Sequence, residues 1–104
     1  MSSRLDRIED WFELARKAKY SSRQLAVICG ISPRQLERYF KNSFGRPPQE
    51  WLNQARFHSA KKLLLQGLSV KDVASRVGFK QAAHFSRSFK QFIGQPPSKY
   101  GLRR

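Results

Sequence analysis

An internal repeat constrains this 104-residue chain more than any other feature. Residues from Ser21 to Trp51 recur from Ser69 to Tyr100. At an offset of 48, Ser21, Ala26 and Gly30 match Ser69, Ala74 and Gly78. One extra residue after Gly78 moves the offset to 49, where Arg38, Phe40, Lys41, Gly45, Pro47 and Pro48 match Arg87, Phe89, Lys90, Gly94, Pro96 and Pro97. A repeat on this scale is one supersecondary unit used more than once. Whatever the chain folds into must therefore contain two copies of the same small unit.

Each copy reads as two helices with a tight turn between them. Glycine and proline fall only where elements should end: Gly30, Gly45, Gly67, Gly78 and Gly94 occupy positions that want a left-handed residue or a turn. Ser32 followed by Pro33, with Gln35 completing a capping box, marks a helix start. Ser21 and Ser69 carry the same signal. Period-two alternation is missing over any useful length, so no sheet is expected. The expectation is all-α, with seven helices at about residues 4–18, 22–29, 33–43, 48–66, 70–77 and 82–93 and a short one after Pro96-Pro97. In the first of these, Leu5, Ile8, Trp11, Phe12 and Ala15 form an apolar stripe at helical spacing.

Charge narrows the partner. The 21 Lys and Arg against 7 Asp and Glu leave a net +14, and four of the acids (Asp6, Glu9, Asp10, Glu13) lie in the first thirteen residues. From Leu14 onward 19 basic residues face 3 acidic ones. Such a balance favours a polyanion. It is not a membrane by insertion, because the longest apolar run, Leu63-Leu64-Leu65, is far short of the roughly 18 residues a span needs. The N-terminus lacks the apolar stretch of a secretory signal. The single cysteine, Cys29, fits a reducing compartment. A cytoplasmic location is expected. Cys29, His58 and His84 have no metal-ligand spacing, so neither metal nor cofactor is expected.

In a helix-turn-helix the second helix enters the DNA major groove while its opposite face packs on the first. At 100° per residue, Leu36, Tyr39, Phe40 and Phe44 share one side of the third helix, and Arg34, Arg38 and Lys41 share the other with Glu37 beside them. The sixth helix repeats this, with Phe85, Phe89, Phe92 and Ile93 opposite Ala83, Arg87 and Lys90. A guanidinium matches O6 and N7 of guanine with two parallel hydrogen bonds. Arg38 and Arg87 are the leading candidates for that role, followed by Arg34. Glu37 can accept from cytosine N4, Gln35 or His84 can reach an adjacent base or phosphate, and Ala83 offers a methyl contact to thymine. Lys41 and Lys90, one turn further on, suit the phosphate backbone, as do Ser32, Lys80 and Gln81 at the helix starts.

A basic stripe on one helix is often only a solvated face. Its recurrence after a capped turn in both copies argues against that here. The remaining conspicuous residues take ordinary structural roles: Trp11, Trp51 and the eight phenylalanines as core, Cys29 as a small buried residue, His58 as a surface or packing residue, and Tyr100 as the anchor of the last short helix.

This pattern resembles the DNA-binding domain of the AraC/XylS family of bacterial transcription regulators. The matching signature runs Leu25-Ala26, Gly30-Ile31-Ser32, Leu36, Arg38, Phe40-Lys41, Gly45, Pro48, Arg56, Ala60 and Leu63-Leu64. It continues through Ser69-Val70, Val73-Ala74, Gly78-Phe79, Phe85, Arg87, Phe89-Lys90, Gly94, Pro97 and Tyr100, so that roughly residues 5 to 102 are covered. The resemblance implies two helix-turn-helix lobes, about 4–46 and 67–104, joined by a long helix at 47–66 and reading two successive major-groove segments. A helix from Pro48 to Gln66 is about 28 Å long, close to the ~34 Å between groove segments on one DNA face. The chain departs from the family pattern at Gln81, where a small polar cap is usual, and at Ala82-Ala83, which stand where the first copy is arginine-rich.

The expected function is sequence-specific binding of double-stranded DNA in transcription regulation, with RNA polymerase as a further partner and the domain acting as a monomer. Two other classes compete. One is a non-specific architectural or RNA-binding protein, which would not need two patterned helices and would carry stacking aromatics on a sheet. The other is a DNA-acting enzyme, for which no carboxylate pair, metal set or nucleophile–base arrangement stands out, so no catalytic residue is assigned.

Overall fold

The computed structural model describes Leu5, Ile8 and residues 10–101, which form six α-helices, a 3-10 turn and no strand among the described residues. In order these are α1 (Trp11–Lys17), α2 (Ser22–Cys29), α3 (Pro33–Phe44), α4 (Pro48–Leu65), α5 (Val70–Arg76), α6 (Ala82–Ile93) and the 3-10 turn Pro97–Lys99. The expected seventh helix is thus only that three-residue turn, closed by the Tyr100 N–H donating to the Pro97 carbonyl at 3.0 Å. The first helix starts later than residue 4. The Asp10 carboxylate accepts from the Glu13 N–H at 3.0 Å and so caps α1 at Trp11. Most of the expected turn before it lies outside the described residues, although Leu5 is buried and its carbonyl accepts from the Ile8 N–H at 3.2 Å.

Serine hydroxyls start three helices. Ser21 accepts from Gln24, Ser32 from Gln35 and Ser69 from Asp72, at 3.3, 3.1 and 3.1 Å. At Ser32 the box is reciprocal, the Ser32 N–H donating to Gln35 Oε1 at 2.9 Å. Helix α6 differs, since its N-cap Gln81 makes no side-chain cap bond. The repeat acquires its extra residue here, and ring packing marks the entry instead: Phe79 meets Phe85 edge-on at 5.4 Å and His84 at 5.2 Å.

The residues cluster into two units that divide inside α4, after Ala55. In the first, α1 to α3 and the start of α4 enclose Trp11, Ala15, Leu25, Leu36, Phe40 and Leu52. Phe40 is the hub, with the Trp11 ring at 5.0 Å, Phe44 at 4.9 Å and Trp51 at 5.5 Å. Gln49 ties α4 to the start of α2, accepting from the Ser22 N–H at 3.0 Å and donating to the Tyr20 carbonyl at 2.9 Å. In the second unit Phe57, Val73, Val77, Phe85 and Phe89 are buried. The Arg56 guanidinium lies 3.8 Å from the centre of the Phe79 ring and donates from Nε to the Val77 carbonyl at 2.7 Å. The repeat extends to ring geometry: Phe40 and Trp51 sit 5.5 Å apart at 70°, and their counterparts Phe89 and Tyr100 sit 5.7 Å apart at 70°. Tyr100 therefore anchors the last turn.

Not every phenylalanine is core. Phe12 is 63% exposed and Phe92 is 41% exposed, each leaning on one neighbour (Trp51 at 5.2 Å, Phe57 at 5.1 Å) from the edge of its cluster. Trp51 and Cys29 are half-buried and His58 is exposed.

Gly94 closes α6 at φ +96° with no atom within 4 Å of where a Cβ would stand. Gly94→Ala has room, so its cost is backbone strain alone, about 1 kcal/mol. Thermal unfolding should show that loss, and an unchanged midpoint would contradict it.

Candidate nucleic-acid interface

Within the first unit α2 packs on α3 through Leu25, Ala26, Leu36 and Phe40, all buried. That contact leaves the other face of α3 to solvent, where Arg34, Glu37, Arg38 and Lys41 are all exposed. The capped start fixes the direction of α3, and αL Gly45 at φ +74° ends it. The face is not a plain array of free cations. The Lys41 ammonium lies 3.2 Å from Glu37 Oε1, one turn apart, with both side chains about half exposed (56% and 55%). Pairs of this kind stabilise a helix by only about 0.3–0.5 kcal/mol, so their larger effect is on what the two charges offer to a ligand.

Two of the expected contact residues are already engaged. Ser32 and Gln35 are exposed, but the Ser32 hydroxyl and the Gln35 amide oxygen complete the capping box. Gln35 thus has its Nε2 hydrogens, rather than its oxygen, to offer a base. Gln35 and Arg38 also border a hollow of about 230 Å³ on the flank of α3, together with Leu5, Ile31, Tyr39 and Asn42.

In the second unit α5 packs on α6 through Val73, Ala74, Phe85 and Phe89, again leaving one face outward. Ala83, Arg87 and Lys90 are exposed on it, and Lys80 and Gln81 are exposed in the turn before it. His84 is exposed as well, but its ring stands edge-on against Phe79, which orients it at the first turn of α6.

Sequence reasoning passed over one pair. Asn42 and Gln91 occupy equivalent repeat positions, both exposed, one turn beyond Arg38 and Arg87. Each carries an amide that donates and accepts, beside the arginine on the same helix. The repeat offset of 49 was the signal that could have found them.

Two bihelical units, each holding out a helix with arginine and lysine one turn apart, define a DNA-binding domain of the helix-turn-helix class. Residues 25–103 match the family model described as a helix-turn-helix domain. The chain belongs to that family, in its AraC/XylS-type form. Over 77 residues it is 39% identical to the transcriptional activator NphR of a Rhodococcus species, covering 73% of this chain and 23% of that protein. Over 97 residues it is 34% identical to the bifunctional transcriptional activator/DNA repair enzyme AdaA of Bacillus subtilis, covering 92% of this chain and 46% of that one. The chain therefore spans less than half the length of these curated relatives. A solved transcriptional regulator of Chromobacterium violaceum, described as containing an AraC-type DNA-binding domain, superposes with a TM-score of 0.70 at 28% identity, over 85% of this chain and 82% of that one. No helix among the described residues is long and apolar enough to cross a membrane.

Proposed function

We propose that this chain is the DNA-binding part of a sequence-specific transcription regulator, a binding module rather than an enzyme, acting in the cytoplasm. One observation carries the reading: the same arginine–lysine pair stands exposed on the outward face of the second helix in both units, at Arg38 with Lys41 and at Arg87 with Lys90. A structureless excess of charge would not repeat in register. The regulator names of the relatives support the reading. Arg38 and Arg87 read guanine, Arg34 and Glu37 read neighbouring bases, and Ala83 and His84 make weaker base contacts. Lys80, Gln81 and Lys90 face phosphates, with Ser32 at the start of α3. Lys41 stands apart from Lys90 because Glu37 already holds its ammonium. Each recognition helix takes its own major-groove segment, one chain per duplex, and RNA polymerase is the protein partner.

Selection of bound sequences from random duplexes tests this. The enriched site should be asymmetric, because the two recognition helices differ. Its preference should be sharper where Arg34, Glu37 and Arg38 bind than where Ala83, His84 and Arg87 do. On that site Arg38→Ala and Arg87→Ala should each cost about 1–3 kcal/mol and relax preference at their own base pairs. Failure to enrich any sequence, or a uniform loss on all duplexes in both variants, would leave only charge-driven binding.

A further inference from the structure

We propose that Glu37 and Lys41 form one reading unit directed at a single G·C base pair, and that Lys41 is a specificity residue rather than a phosphate anchor. The inference rests on α3 being a recognition helix. It starts from the 3.2 Å ion pair on the outward face of that helix, with both side chains about half exposed and so accessible to a ligand.

A carboxylate on a DNA-facing surface is repelled by every phosphate near it. Paired with Lys41, it becomes half of a neutral donor–acceptor couple. A neutral couple displaces no counterions and so contributes little to the sequence-independent part of the affinity. It can contribute discrimination. In the major groove guanine shows the acceptors N7 and O6, and cytosine N4 beside them shows a donor. An ammonium and a carboxylate held side by side match that edge: Lys41 donates to guanine, and Glu37 accepts from cytosine N4. An A·T pair also sets a donor beside an acceptor, but it gives the ammonium one purine acceptor where guanine gives two.

The second unit supplies the internal contrast. The position equivalent to Glu37 is Ser86, so Lys90 has no carboxylate one turn before it. Its full charge stays available to phosphate. Two lysines at equivalent repeat positions therefore do different work.

The test is competition binding of the intact chain to its selected duplex and to every single-pair variant of it. Wild type is compared with Glu37→Ala, Lys41→Ala and the double variant, with far-UV circular dichroism confirming the helices of each. One G·C pair should be preferred by about fivefold to a hundredfold. Either single variant should abolish that preference at the same pair, and the double variant should lose no more than either. The double variant removes no net charge and should keep the wild-type slope of log affinity against log salt. The proposal is overturned if the two single variants affect different pairs, if the shared pair is A·T, or if the double variant binds every duplex more weakly with a slope reduced by about one, the mark of a lost phosphate contact. If the wild-type chain selects no duplex at all, it is the reading as a specific regulator that fails, and that outcome is visible before any variant is made.

Discussion

Raising the salt from about 50 to 200 mM should weaken duplex binding by about 10³–10⁵, the loss expected when six to ten phosphates are contacted. The motive is the charge distribution: 19 basic against 3 acidic residues from Leu14 onward. Lys80 and Lys90 are exposed, and so are Arg23, Lys62, Lys71 and Arg76, none of which is assigned to a base. Each lysine or arginine that meets a phosphate releases condensed cations, and that entropy shrinks as bulk salt rises. The measurement is a fluorescence-anisotropy titration on one duplex at a series of salt concentrations. A nearly flat dependence would mean that the basic surface does not meet the backbone.

The second large effect concerns stability. Phe40→Ala and Phe89→Ala should each destabilise their own unit by about 3–5 kcal/mol. The two residues are equivalent in the repeat and fully buried. Each is the ring on which its unit closes: Phe40 against Trp11, Phe44 and Trp51, Phe89 against Phe57, Phe85 and Tyr100. Units of about fifty residues have little stability to spare, so a loss of this size should unfold the affected one near room temperature. Residue-resolved NMR spectra would show collapsed dispersion in the mutated unit. Native-like spectra for both variants would mean that these rings are not the keystones the packing suggests.

Much of this architecture was legible in the sequence because its signals are local. A serine hydroxyl, a proline at the first helical position and a glycine at the end act within one turn, and α2, α3 and α5 start where a serine cap stands. The outward face of α3 followed from helical spacing alone. The start of α1 was harder, since Leu5 and Ile8 continue the apolar rhythm through the point where Asp10 caps the helix. Periodicity reports which side faces the core, not where backbone hydrogen bonding begins. It also misjudged Phe12, which keeps the rhythm yet lies at the rim. The ion pair between Glu37 and Lys41, and the commitment of Gln35 to its cap, depend on rotamers that composition and spacing do not encode.

The unequal starts of the two recognition helices bear on the thermodynamics of recognition. Ser32 and Gln35 lock the first turn of α3 by directional bonds, whereas Gln81 makes no cap bond and Phe79 holds α6 by ring contact. On the proposed reading, the first unit meets the groove with its helix start already locked, and any freedom left at the uncapped start of α6 is given up on binding, which subtracts from that unit's contacts. Warming should therefore erode the second unit's share of binding first, since lost freedom weighs in proportion to temperature. On that reading one repeated motif yields two unlike readers, the first with a helix start held by directional bonds and the second with a start held by ring packing.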